Sequence, residues 1–145
     1  MQRFHTSSEE ETIALGERLA AGLPRTCVVL LIGNLGAGKT TLVKGLALGL
    51  GAAVPDEVTS PTFTLIHEYG KAVYHVDLYR LDTAREVASL GLDEFFDREA
   101  VVLIEWGERF PELMPADRIE IRIEGHGDER EIVMSKTNER FAHLA

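Results

Sequence analysis

The residues with the clearest chemistry are Gly33-Asn34-Leu35-Gly36-Ala37-Gly38-Lys39-Thr40, which fit the spacing G-x-x-x-x-G-K-[ST]. Glycines in such a run let the backbone curl until several N–H groups point at one oxyanion. A helix opening at the end of the loop adds the positive end of its dipole. A lysine at position 39 reaches β- and γ-phosphates, and the Thr40 hydroxyl takes a Mg²⁺ position. The chemistry expected is nucleoside triphosphate binding with Mg²⁺, by Gly33, Asn34, Leu35, Gly36, Ala37, Gly38, Lys39, Thr40 and Thr41. ATP is favoured over GTP because no Asn-Lys-x-Asp guanine motif occurs in the chain.

Hydrolysis also needs the metal held and a water positioned, and the usual source is an acid at the carboxyl end of a buried strand beside the loop. Two residues fit. Glu105 ends the apolar run Val101-Val102-Leu103-Ile104, and Asp77 ends Val73-Tyr74-His75-Val76. Glu105 is assigned to the Mg²⁺ shell with Thr40, directly or through water, and Asp77 to orienting the attacking water. Trp106, next to Glu105, is placed near the nucleotide. Ser60-Pro61-Thr62 offers hydroxyls that could sense a γ-phosphate, although a plain turn before a strand fits the same residues equally well. His75 reads as a partly buried strand residue.

These side chains need a frame, and the pattern supplies an α/β one. Ser7 or Ser8 with Glu10 or Glu11 can form a capping box for a helix running to about Ala21. Cys27–Ile32 is a six-residue apolar run leading straight into Gly33, as a buried strand would. Thr41 to Leu50 continues as a helix ended by Gly51. Residues 52–61 read as a loop, and Phe63–Tyr69 and Ala72–Leu78 as a hairpin. Thr83-x-x-Glu86 caps a helix to about Leu90, followed by a short piece at Asp93–Phe96. Ala100–Ile104 is a strand buried on both faces. Ile119, Ile121 and Ile123 alternate with charged residues in a half-exposed strand, which pairs through a turn at 125–128 with a strand near Glu131–Ser135. The sum is a P-loop NTPase-type single domain over residues 1–145, with a mixed parallel and antiparallel sheet flanked by helices and a polar tail at 136–145.

Composition narrows the function further. The chain has 145 residues, 45% of them hydrophobic, enough for one sizeable core. A net charge of −9 argues against broad nucleic-acid binding, which needs a basic surface. Cys27, the single cysteine, reads as a buried thiol. No segment approaches the length of about 18 apolar residues that a membrane span requires, so no membrane partner and a cytoplasmic location are expected.

Taken in order, the P-loop run through Thr41-Leu42, then Thr59-Ser60-Pro61-Thr62-Phe63, His75-Val76-Asp77-Leu78-Tyr79-Arg80-Leu81 and Ile104-Glu105-Trp106, resembles the TsaE family, also called YjeE. The P-loop is shared widely; the other three strings are specific. The resemblance implies an ATPase of tRNA threonylcarbamoyladenosine biosynthesis. It would act on the TsaD–TsaB transferase pair, which modifies adenosine 37, and would meet tRNA only through those partners. It further implies that Lys39 and Thr40 serve phosphate and Mg²⁺, that Thr62 is the switch threonine and that Asp77 and Glu105 are the two essential acids. Trp106 then stands as the aromatic beside the site. A small-molecule kinase, or a nucleotide-gated adaptor with incidental hydrolysis, are the alternatives; the first lacks an arginine-rich lid segment.

Overall fold

Strand β2, Cys27–Ile32, is the axis of the molecule, and all six of its residues are buried. In the computed structural model, which describes residues 1–61 and 63–136, it is the middle strand of a seven-stranded sheet ordered β1-β7-β6-β2-β5-β4-β3. The other strands are β1 (Gln2–Thr6), β3 (Ile66–Tyr69), β4 (Val73–Asp77), β5 (Val101–Glu105), β6 (Ile119–His126) and β7 (Glu129–Lys136). β4, β5, β2 and β6 run parallel to one another, and antiparallel strands close both edges.

A parallel strand covered on both faces has no polar side to show, which is why β2 and β5 read as continuous apolar runs. Val29 and Leu31 face one core with Leu103 and Ile121; Val28 and Leu30 face the other with Val76 and Ile104. Helices α1 (Glu9–Ala20) and α2 (Lys39–Gly49) cover the first face. The short helices α3 (Ala84–Ala88) and α4 (Leu92–Phe96) contribute Val87 and Leu92 to the second. Fully buried leucines such as Leu42 and Leu46 each contribute about 1.5–3 kcal/mol by leaving water.

Helices α1 and α2 meet almost backbone to backbone. A Cβ on Gly45 would stand 2.1 Å from the Ile13 carbonyl oxygen, one on Gly16 2.7 Å from that of Leu42, and one on Gly49 2.5 Å from that of Glu17. Ser8 caps α1 by accepting from the Glu11 amide at 3.1 Å, while the Ser7 amide donates to the Glu11 carboxylate at 2.6 Å. Thr83 and Glu86 form the second expected box.

Some boundaries differ from the sequence reading. The first arm of the hairpin begins at Ile66 instead of Phe63, because Leu65 takes a left-handed backbone (φ 70°) and its amide turns back to the Pro61 carbonyl at 2.6 Å. Phe63 is left outside the strand and exposed. Strand β1 was not expected from the sequence; it is a short, mostly polar edge strand whose register is carried by pairing to β7. The expected tail lies outside the described residues from 137 onward, and Lys136 belongs to β7, paired with Ile119.

Candidate active site

The parallel register sets the site. Asp77, last residue of β4, pairs directly with Glu105, last residue of β5, and Glu105 is level with Leu31 of β2. The chain leaves β2 at Ile32 and enters the glycine loop at once. Both acids and the loop therefore share one sheet edge, the carboxyl edge where ligands of open α/β sheets bind. Arg109 fastens this edge by donating to the Tyr79 carbonyl at 2.9 Å, tying the turn after β5 to the turn after β4.

Within the loop, Gly38 (φ 107°) is the residue before α2 and needs its glycine backbone. Gly33 has no room for a side chain, since a Cβ would stand 2.5 Å from the Ile123 carbonyl oxygen. Lys39, the first residue of α2, is buried. Its Nζ donates to the Gly33 carbonyl at 2.7 Å and lies 3.4 Å from the centroid of the Trp106 ring. Burial lowers the Lys39 pKa, opposed by the negative charges of Glu105, Glu108 and Asp77. Trp106 itself has a left-handed backbone (φ 69°), unusual for an aromatic residue, and packs against Tyr79.

Glu105 is the centre of a buried hydrogen-bonded line. Its Oε2 accepts the Thr40 hydroxyl at 3.0 Å and lies 2.6 Å from His75 Nε2. His75 Nδ1 is 3.0 Å from the Tyr69 hydroxyl, which is also within 3.3 Å of the Thr59 carbonyl. The Tyr69 hydroxyl has a single hydrogen, which the Thr59 carbonyl accepts, and its oxygen stands at hydrogen-bond distance from His75 Nδ1. Burial raises the Tyr69 pKa, so its phenol stays protonated. His75 was read as a partly buried strand residue; it is fully buried and links the loop at Thr59 to the residue that meets Thr40. Its role follows from the register of the β3–β4 hairpin, which sets His75 within reach of Tyr69.

Asp77 is also buried. Its Oδ2 accepts the Ser60 hydroxyl at 2.8 Å, and its Oδ1 the Tyr79 amide at 2.8 Å. A cavity of about 450 Å³ is lined by Leu35, Gly36, Gly38, Lys39, Thr40, Thr41, Ser60, Asp77, Tyr79, Glu105, Trp106 and Arg130. A second, of about 570 Å³, lies toward β6 and β7; it is lined by Gly33, Asn34, Leu35, Gly36, Ala37 and Trp106 together with Glu108, Arg122 and Arg130. The expected site residues thus converge on two adjoining cavities. Thr62 lies outside the described residues. Glu108 was not anticipated: its Oε1 is buried with no hydrogen-bond partner among the described residues, and burial raises its pKa against the pull of Lys39, Arg122 and Arg109.

A glycine-rich loop leaving a central parallel strand and opening a helix, with strand-end acids beside it, defines an α/β protein of the P-loop NTPase type. The family model described as "Threonylcarbamoyl adenosine biosynthesis protein TsaE" matches residues 6–132. The tRNA threonylcarbamoyladenosine biosynthesis protein TsaE of Bacillus subtilis (strain 168) is 42% identical, with 98% of this chain and 90% of that protein covered. The protein of the same name from Treponema pallidum (strain Nichols) is 40% identical over 92% and 99% of the two chains. The crystal structure of B. subtilis YdiB superposes with a TM-score of 0.79 at 37% identity, over 99% of this chain and 90% of that one. The chain belongs to the TsaE family, whose members are named for threonylcarbamoyladenosine biosynthesis on tRNA.

Proposed function

We propose that this protein binds ATP with Mg²⁺ at the loop 33–41, hydrolyses it, and in doing so serves the TsaD–TsaB pair in the modification of adenosine 37 of tRNA, in the cytoplasm. The observation that carries the reading is the convergence of a P-loop lysine and threonine with two buried, in-register carboxylates.

The roles follow from the contacts. Lys39 exchanges its bond to the Gly33 carbonyl for the β/γ-phosphates. Thr40 gives its hydroxyl hydrogen to Glu105, so its lone pairs remain for a cation. A hydroxyl and a carboxylate are the hard oxygen donors that suit Mg²⁺. Glu105 Oε2 already meets Thr40 and His75, so Glu105 holds Thr40 in place and acts on the metal through Oε1 or a water. Mg²⁺, when bound, supplies positive charge to the β- and γ-phosphate oxygens. Asp77 accepts a hydrogen bond from the attacking water and aligns it, and Ser60 fixes the Asp77 carboxylate. Thr62 senses the γ-phosphate, and Trp106 covers the Lys39 head group against solvent.

The test is phosphate release by the purified protein, alone and with TsaD–TsaB. Release is expected to be slow alone and to rise severalfold in the mixture. Asp77→Ala is expected to cancel the rise while the complex still forms in a size-exclusion assay. Equal turnover with and without the pair would remove partner stimulation from the proposal. No ATP turnover in either sample would remove the enzyme reading.

A further inference from the structure

The roles above leave two cations beside the loop unassigned, Arg122 and Arg130, and Arg130 comes against the loop backbone. Arg130 in β7 stands opposite Gly125 of β6. Because Gly125 has no side chain, the guanidinium lies across its backbone: a Cβ at 125 would come 2.8 Å from Cζ and Nη1 and 2.9 Å from Nε. The side chain thereby reaches the P-loop, with Nε 3.1 Å from where a Cβ on Gly38 would stand. Arg130 borders both cavities beside the loop, the 450 Å³ one containing the acids and the 570 Å³ one toward β6. Its hydrogen-bond partners are weak ones for a cation, the carbonyls of Gly127 and Glu129 at 2.7 Å each, and it forms no ion pair among the described residues.

The position along the loop decides which phosphate this cation meets. Lys39 and Thr40 mark the β/γ end, with Asp77 and Glu105 next to them. Gly38 and Thr41 are the loop residues beside Arg130, and they also border a small cleft with it on the side away from the acids. Backbone amides in this part of a P-loop cradle the α/β-phosphates. A guanidinium is charged at all working pH values and offers paired donors to phosphate oxygens.

We propose that Arg130 is a nucleotide-binding residue that grips the α/β-phosphate portion of the bound nucleotide, and that Gly125 is the positioning residue that clears its path. The proposal rests on the ATP-binding reading of the site. It makes a specific statement about which nucleotides notice the arginine. ADP and ATP share the α/β portion, so both lose the same contact when Arg130 is removed.

Calorimetric titration with Mg²⁺ADP and with Mg²⁺ and a non-hydrolysable ATP analogue tests it. Arg130→Ala is expected to weaken both by the same factor, about 10- to 100-fold, the range for a hydrogen bond to a charged group. Arg130→Lys recovers part of the loss. Gly125→Val retains the arginine but displaces it, and is expected to reproduce the Arg130→Ala affinities; added to Arg130→Ala, it causes no further loss. Thermal unfolding of each variant separates these effects from damage to the hairpin. Unchanged ADP affinity in folded Arg130→Ala, with wild type binding measured alongside, overturns the proposal. Loss of the ATP analogue alone puts the arginine on the γ-phosphate and also overturns it. A wild type that binds neither nucleotide overturns the ATP reading itself.

Discussion

The two flanks of β2 are built differently. On one side stand β5 and β4, buried parallel strands that end in Asp77 and Glu105, with each carboxylate held by hydrogen bonds from named neighbours. On the other stand β6 and β7, a hairpin with one solvated face, whose cations Arg122 and Arg130 reach the loop region from partly exposed positions. The buried flank fixes a few groups to within a single arrangement, as a reaction centre requires. The solvated flank offers charge without that fixity, which suits binding. The difference teaches that one nucleotide loop can divide its work, with chemistry on the side where strands are covered and affinity on the side where they are not.

The largest effect that could break this contrast is at Asp77. Asp77→Asn is expected to lower ATP hydrolysis about 10²- to 10⁴-fold, the span for loss of a group that aligns or accepts a proton, while nucleotide affinity holds. Glu105→Gln is expected instead to raise the Mg²⁺ concentration needed for half-maximal turnover. Interchanged phenotypes in a Mg²⁺ titration of both variants would exchange the two roles and leave the flank assignment standing.

A smaller effect concerns the support behind the acids. His75→Leu leaves the Glu105 carboxylate without a buried partner and is expected to cost about 1–3 kcal/mol in denaturant unfolding. Arg122→Ala on the solvated flank, where the arginine is largely exposed and its ion pair to Glu120 is 3.6 Å long, is expected to stay within about 0.5 kcal/mol. Equal costs for the two would erase the distinction between a fixed and a loose flank.

The smallest effect is in the pH profile. Burial raises the Glu108 pKa, so the folded protein holds that proton at pH values where the unfolded chain has released it. Stability therefore falls as pH rises from the ordinary carboxylate range through the raised value. Glu108→Gln removes this slope, and its gain over wild type is expected at neutral pH and absent near pH 3. Unfolding midpoints across that interval check the sign.

What was legible in the chain follows the same division. β2, β5 and the loop were visible because a strand covered on both faces writes an unbroken apolar run, and the strand-end acids were visible as its last residues. The hairpin flank was visible as alternation. Tyr69 and His75 escaped because their contact is set by the cross-strand register of β3 and β4, and neither residue type signals a hydrogen-bonded line. Arg130 escaped for a similar reason: no spacing relates it to Gly38, ninety-two positions earlier, and only the glycine opposite it opens the way. β1 carries one apolar residue in five, too few for a period to show.

The glycine contact between α1 and α2 has a mechanical consequence. Helices joined through side chains can slide by exchanging rotamers, but here bare main chain abuts main chain at Gly16, Gly45 and Gly49, so there is nothing to rearrange. α2 has one seat, and the loop at its head inherits that immobility. Any signal of which nucleotide is present must then leave the molecule by another route. Among the described residues, the segments that touch Asp77 from outside the sheet and this helix pair are the one at Ser60 and the turn at Tyr79. A partner that distinguishes the spent from the loaded form would have to feel for it there.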